Sequence, residues 1–171
     1  VRLYYSVWGS TSFGNPQWQA SGGDRRNSVW SVGIGKEGGF DLSDVRREFV
    51  LPGFFPLDPG LGELAGSSHP VSDIEFPDCG KQDVMLLAER GGVRNLGLDK
   101  EDAFARPHES RVLRYRLGPD GIWRPDGRFD ISFLKRDQAP RIRAGGAGGC
   151  DFGFAYDDEG SADLNRPNES V

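Results

Sequence analysis

The chain has 171 residues, of which 36% are hydrophobic and 11% aromatic, so it is long enough for one domain, or two small ones, with a packed core. Its net charge of −5 and its scattered arginines exclude a basic nucleic-acid-binding surface, and no apolar run approaches the roughly 18 residues of a membrane helix. The 25 glycines and 11 prolines favour many short elements joined by turns, which is typical of all-β proteins.

The first strong pattern is SVWSVGIGKEGGF at residues 28–40. Trp30, Val32 and Ile34 alternate with small residues, which predicts a strand with one buried face. Ser31 falls on the opposite, wetter face of that strand. The GIGKEG segment fits the dinucleotide-binding fingerprint, but that fingerprint must open a helix, and the pattern that follows is another strand. We therefore predict a hairpin turn and a return strand, DVRREFVL.

Further along the chain, VSDIEFPDCG at residues 71–80 predicts a short strand that ends in a turn, and DVMLLAER predicts an apolar strand after it. The next segment, RVLRYRLGPDGIW at 111–123, repeats the pattern of residues 28–40. In this alignment Gly121 matches Gly38 and Trp123 matches Phe40. A fourth strand, IWRPDGRFDIS, completes a unit of four strands.

A second pair of segments also repeats, because GCDFGFAYDDEG at residues 149–160 follows the pattern of VSDIEFPDCG. Asp151 matches Asp73, and Phe154 matches Phe76. The opening VRLYYSVWGS resembles the second strand of the unit, and RPNESV at the end echoes RPHESRV. We therefore predict three copies of one unit. They are a partial copy at about 1–52, a complete copy at about 70–134, and the start of another at 148–171.

This pattern, PVSDIEF followed by VMLLAERGG and SRVLRYRLGPDGIW, resembles the six-bladed β-propellers that include gluconolactonase-like proteins, NHL-repeat proteins and soluble quinoprotein sugar dehydrogenases. The resemblance implies an all-β fold made of blades of four antiparallel strands. The number of copies implies part of a larger propeller. An independent β-sandwich with hairpins is the alternative.

The strand assignments predict which side chains are buried and which cysteines can pair. Cys79 and Cys150 lie near opposite ends of their strands, so we expect no disulfide between them. No segment shows sustained helical periodicity, so we expect no long helix, including at residues 91–110. The expected buried residues are Trp30, Val32, Ile34, Ile74, Phe76, Leu86, Leu113, Tyr115, Leu117, Phe152 and Phe154.

Candidate site residues come from the segments that lead into inner strands and from those between second and third strands, because these emerge on one face of a propeller. The binding candidates are His69, Asp73, Arg90, Arg94, Asn95, His108, Glu109 and Asp151. Arg25, Arg26, Asn27 and Glu89 fall on the same face. The matched aspartates Asp73 and Asp151 could hold Ca²⁺ in a central channel. The alternative is that such aspartates accept hydrogen bonds from backbone N–H groups and that His69 is a turn residue.

The sequence contains no catalytic motif that separates an enzyme from a binding module. One hypothesis is an extracytoplasmic, secreted or periplasmic, propeller domain that binds a protein or glycan partner, or the remainder of the same propeller, through its loop-rich face. Another is a Ca²⁺-dependent hydrolase or lactonase. The third is a quinoprotein-type sugar dehydrogenase that uses histidine and arginine.

Overall fold

The computed structural model shows an all-β chain whose sheets are antiparallel. The strands belong to two compact units, one built on the first three strands and the other on the strands from Ser72 onward. No helix in the described part of the chain is long and apolar enough to span a membrane. The structure describes residues 1–7, 26–54, 56–60, 66, 68–77, 83–90, 110–129, 131–132, 144–145, 150–152, 154–156 and 161–167.

The first sheet has three strands in the order β1 (Arg2–Val7), β2 (Ser28–Ile34) and β3 (Phe40–Val50). These are the strands predicted from the opening segment and from the first copy of the pattern. Val32 lies opposite Leu3 on one side and Val45 on the other, so these three side chains share a face. Two irregularities in the β2–β3 register lengthen β3 relative to its partner.

The expectation that Ser31 lies on a wetter face is wrong. Ser31 is buried because charged side chains close over it. Arg2 donates a hydrogen bond from Nε to Ser31 Oγ over 2.8 Å, and Ser31 in turn donates to Glu48. Arg2 also pairs with Asp44. A polar network therefore covers this face of the first sheet.

The second sheet contains the predicted unit of four strands in sequence order: β4 (Val71–Glu75), β5 (Val84–Glu89), β6 (Arg111–Leu117) and β7 (Trp123–Phe129). Every residue of β5 is buried. The fourth strand is shorter than predicted, because Ile131–Ser132 forms a separate strand, β8, that pairs with β9 (Ala144–Gly145). The last pair is β10 (Phe154–Tyr156) with β11 (Ala162–Pro167), where the start of the third copy is predicted.

The two hairpin turns show that the repeat extends to backbone geometry. In the first turn, Gly35 N–H donates to Gly39 O over 2.9 Å and Gly38 has φ 81°. In the second, Gly118 N–H donates to Ile122 O over 2.9 Å and Gly121 has φ 75°. Left-handed φ values favour glycine, so the matched glycines serve the same purpose. The predicted hairpin turn at GIGKEG is confirmed.

The burial predictions are confirmed for four residues and are too strong for six. Val32, Leu86, Leu113 and Tyr115 are buried, but the rest of the described set is only half-buried. The half-buried residues are Trp30, Ile34, Ile74, Phe76, Leu117 and Phe152. The side chain of Phe154 and residues 91–109 lie outside the described part of the chain.

Candidate binding end of the second sheet

The long connection between β5 and β6 leaves the second sheet from a stem that contains a buried ion pair. Glu89, the last residue of β5, lies directly opposite Arg111, the first residue of β6. The Arg111 guanidinium donates from Nε to the Glu89 carboxylate. The Glu89 side chain is 0% exposed and the Arg111 side chain is 3% exposed. The pair therefore fixes the two strands where residues 90–110 begin and end.

The environment of Tyr115 shows how deeply this stem is buried. Tyr115 is on the same strand as Arg111, and its side chain is buried. Burial, followed by the negative charge of Glu89, raises the pKa of the Tyr115 hydroxyl to about 12, although Arg111 acts in the opposite direction. Three polar side chains are thus held together in a water-poor environment. Charged groups persist in such a place only when they are paired.

Asp73 joins the second sheet to the segment that leads into β10. Its Oδ2 accepts a hydrogen bond from the Cys150 backbone N–H over 3.1 Å. Ser72, its neighbour on β4, donates from Oγ to the carbonyl of Ala88 over 3.2 Å. Ala88 immediately precedes Glu89, so the Asp73 link lies at the end of the sheet from which the long connection leaves. Asp73 therefore has the alternative role predicted for it, that of a carboxylate that accepts a hydrogen bond from a backbone N–H.

The thiol of Cys150 lies in the same area and is not activated. Burial first, and then the charges of Asp73, Glu75 and Asp151, raise its pKa to about 12, although a backbone hydrogen bond at Ala88 opposes the shift. The thiol is therefore protonated at neutral pH, whereas nucleophilic and metal-binding cysteines are thiolates. Cys150 is not in a disulfide, which confirms that it does not pair with Cys79.

Apart from His69, which lies in the first unit, the predicted site residues divide into those that the structure places at this end and those outside the described residues. Asp73 is half-buried, whereas Arg90 and Asp151 are exposed. Asp151 directly follows Cys150, so the Cys150 N–H bond brings the two matched aspartates close to one another. Four predicted residues lie outside the described part: Arg94, Asn95, His108 and Glu109.

Glu89 and Arg111 illustrate what sequence reasoning missed. The sequence predicts that Glu89 projects from the loop-rich face, but its side chain is fully buried and pairs with Arg111. Arg111 was not a candidate at all. The signal that could have found the pair is the hairpin register, since Glu89 and Arg111 flank the connection as opposite charges on facing positions.

The first unit has a similar connection at the matching place, residues 8–27 between β1 and β2. It ends at Asn27, which is buried. Asn27 N–H donates to Ser68 Oγ over 2.6 Å, and Asn27 O accepts from Leu51 N–H over 2.9 Å. The neighbouring His69, also buried, stacks at a tilt on Phe54 with ring centroids 4.5 Å apart. His69 is therefore packed inside the first unit, and its ring is not displayed to solvent.

The calcium hypothesis receives no support from the described residues. Among them, no group of three or more histidine, cysteine, aspartate or glutamate side chains is arranged to hold a metal ion. One oxygen of Asp73 already accepts the Cys150 N–H. A Ca²⁺ site at Asp73 and Asp151 stays a prediction.

No family model, curated protein or solved structure matches this chain. The resemblance to β-propellers therefore rests on the strand pattern of the sequence alone.

Proposed function

We propose that the chain is a set of propeller-type blades that binds a protein or glycan partner through the connections between second and third strands. The observation that carries this proposal is the buried Glu89–Arg111 pair at the stem of residues 90–110. Long connections mounted on a rigid scaffold are where binding residues concentrate. The matching connection at residues 8–27 supports the same interpretation, because both copies of the unit have one at the same place.

The roles of the described polar residues favour binding over catalysis. Asp73 and Glu89 are engaged in structural contacts, and the thiol of Cys150 is protonated. These groups therefore do not form a nucleophile with a base, or an acid with a base, around an open pocket. The candidates that remain for ligand contact are on the connection itself, namely Arg94, Asn95, His108 and Glu109, with Arg90 at its start.

The test is a binding screen of the intact chain against a panel of defined neutral and acidic oligosaccharides, with Arg94→Ala and His108→Ala beside it. We expect at least one oligosaccharide to bind and both variants to weaken that binding. The matched control is Arg124→Ala, because Arg124 is exposed beside the turn at the opposite end of β6.

Two results would count against the proposal in different ways. Absence of binding to every oligosaccharide would remove the glycan ligand and leave only the protein partner. Equal weakening in Arg124→Ala would show that the ligand does not bind at the end where residues 90–110 emerge. The extracytoplasmic, secreted or periplasmic, location belongs to the same proposal.

A further inference from the structure

On the apolar face of the first sheet, side chains of the flanking strands are exposed, although the equivalent side chains of the second sheet are covered. Leu3 lies opposite Val32, and Met85 lies opposite Tyr115, which occupies the position of Val32 in the repeat. Leu3 is 43% exposed, whereas Met85 is 0% exposed. Leu3 and Met85 occupy equivalent positions in the repeat, so their exposed fractions can be compared directly.

The outer strands show the same contrast. Phe40 lies opposite Ile34, and Trp123 lies opposite Leu117. Phe40 is 61% exposed, whereas Trp123 is 4% exposed. Together with Val45, the exposed residues Leu3 and Phe40 flank the buried Val32 and the half-buried Ile34 on the same apolar face. We name it the open face.

Phe76 identifies one element that covers this face in the second sheet. It follows β4, the first strand, and packs edge-on against Trp123 at the start of β7 with ring centroids 6.1 Å apart. Because β4 and β7 are the two outer strands of that sheet, the Phe76 ring reaches over the apolar face. In the described part of the first unit, β1 is an outer strand, and no strand equivalent to β4 lies beside it.

We propose that the open face and the edge of β1 bind an inner strand from a further copy of the repeat, with the pattern Asp-apolar-X-Phe seen at residues 73–76 and 151–154. Such a strand would extend the first sheet to four strands by main-chain hydrogen bonds to β1. Its phenylalanine would cover Phe40 as Phe76 covers Trp123. The proposal rests on the propeller-type repeat of the proposed function, but it uses strand residues and none of the candidate ligand-binding residues, so loss of glycan binding would leave it standing.

The test uses a synthetic peptide, HPVSDIEFPD, which has the sequence of residues 69–78, titrated into the intact chain by calorimetry. We expect saturable binding, and slower amide hydrogen exchange along β1 at saturation. A peptide with alanine in place of the phenylalanine should bind about tenfold more weakly or worse, because the buried ring supplies much of the apolar contact.

Phe40→Ser tests the protein side of the same contact. Phe40 is exposed, so the variant should keep its fold, which circular dichroism checks, while binding of the peptide falls by about tenfold or more. The control is Ile122→Ser, which removes an exposed apolar side chain from the turn between β6 and β7 and should leave binding unchanged.

Three results would overturn the inference. One is absence of peptide binding. Another is equal binding to wild type and Phe40→Ser, or equal binding of a scrambled peptide. The third is a dimer of the chain, detected by sedimentation, that Phe40→Ser dissociates and the peptide does not. That result would make the open face a contact between sheets, without an added strand.

Discussion

Replacing Arg111 with methionine should destabilise the second unit far more than the loss of a surface ion pair would. The substitution keeps the aliphatic bulk of the side chain and removes the guanidinium that pairs with the fully buried Glu89 carboxylate. Removing one member of a buried pair costs about 3–5 kcal/mol. Native proteins have a total stability of about 5–15 kcal/mol, so this is a large share of what holds the unit together.

Urea denaturation followed by circular dichroism measures the loss in the free energy of unfolding. A thermal scan should show the same effect as a fall of about 6–20 °C in the melting temperature, at about 2–4 °C per kcal/mol for a chain of this size. The double substitution Glu89→Leu with Arg111→Met removes both charges, and we expect it to restore most of the stability.

The matched control is Arg124→Met, since Arg124 pairs with Asp120 over 2.6 Å with both side chains about half exposed. Solvent screens that pair, so its loss should change stability little. If Arg111→Met costs no more than Arg124→Met, the stem is not held by the ion pair. If the double variant is less stable than Arg111→Met, the account of an uncompensated buried carboxylate is wrong.

Three further predictions concern Cys150, the first turn and the aromatic contact. In a Cys79→Ser background, Cys150 should react with iodoacetamide at pH 8 more slowly than an exposed thiol. The pKa of its thiol rises from 9.0 in the unfolded chain to about 12 in the folded one. The thiol therefore contributes stability that is present below pH 9 and is lost as the pH rises toward 12. Cys150→Ser should remove this pH dependence of the free energy of unfolding. Gly38→Ala should cost about 1–2 kcal/mol because of its left-handed φ, whereas Gly39→Ala should cost little by urea denaturation. Phe76→Ala should cost about 3–5 kcal/mol on the same assay, and a neutral result would show that its ring covers nothing.

The strands and turns of this protein could be predicted because their signals are local. Alternating apolar residues located β2 and β6, and the aligned glycines at 38 and 121 located both turns. The length of the fourth strand was predicted less well. Residues 131–132 form the separate strand β8 because they pair with β9, which is distant in sequence. Nothing in the local pattern specifies that partner.

The candidate site was predicted only in outline, for reasons that involve contacts between distant residues. The pattern indicated that Asp73 and Asp151 occupy equivalent positions, but the bond from Cys150 N–H to Asp73 appears only when the chain is folded. Glu89 is predicted on the loop-rich face because it lies at the start of the connection between the second and third strands. Its burial follows from the register that places Arg111 opposite it.

The central claim is that Asp73 accepts the Cys150 backbone N–H and so links successive copies of the repeat, and amide hydrogen exchange at Cys150 tests it most directly. We predict that the Cys150 amide is protected in the intact chain and that added Ca²⁺ leaves its exchange rate unchanged. In Asp73→Ala the same amide should exchange at least about tenfold faster, since loss of the bond lets the segment open. The control Glu75→Ala should leave it protected. A Cys150 amide that exchanges equally fast with and without Asp73, or that becomes protected only when Ca²⁺ is added, would contradict the claim.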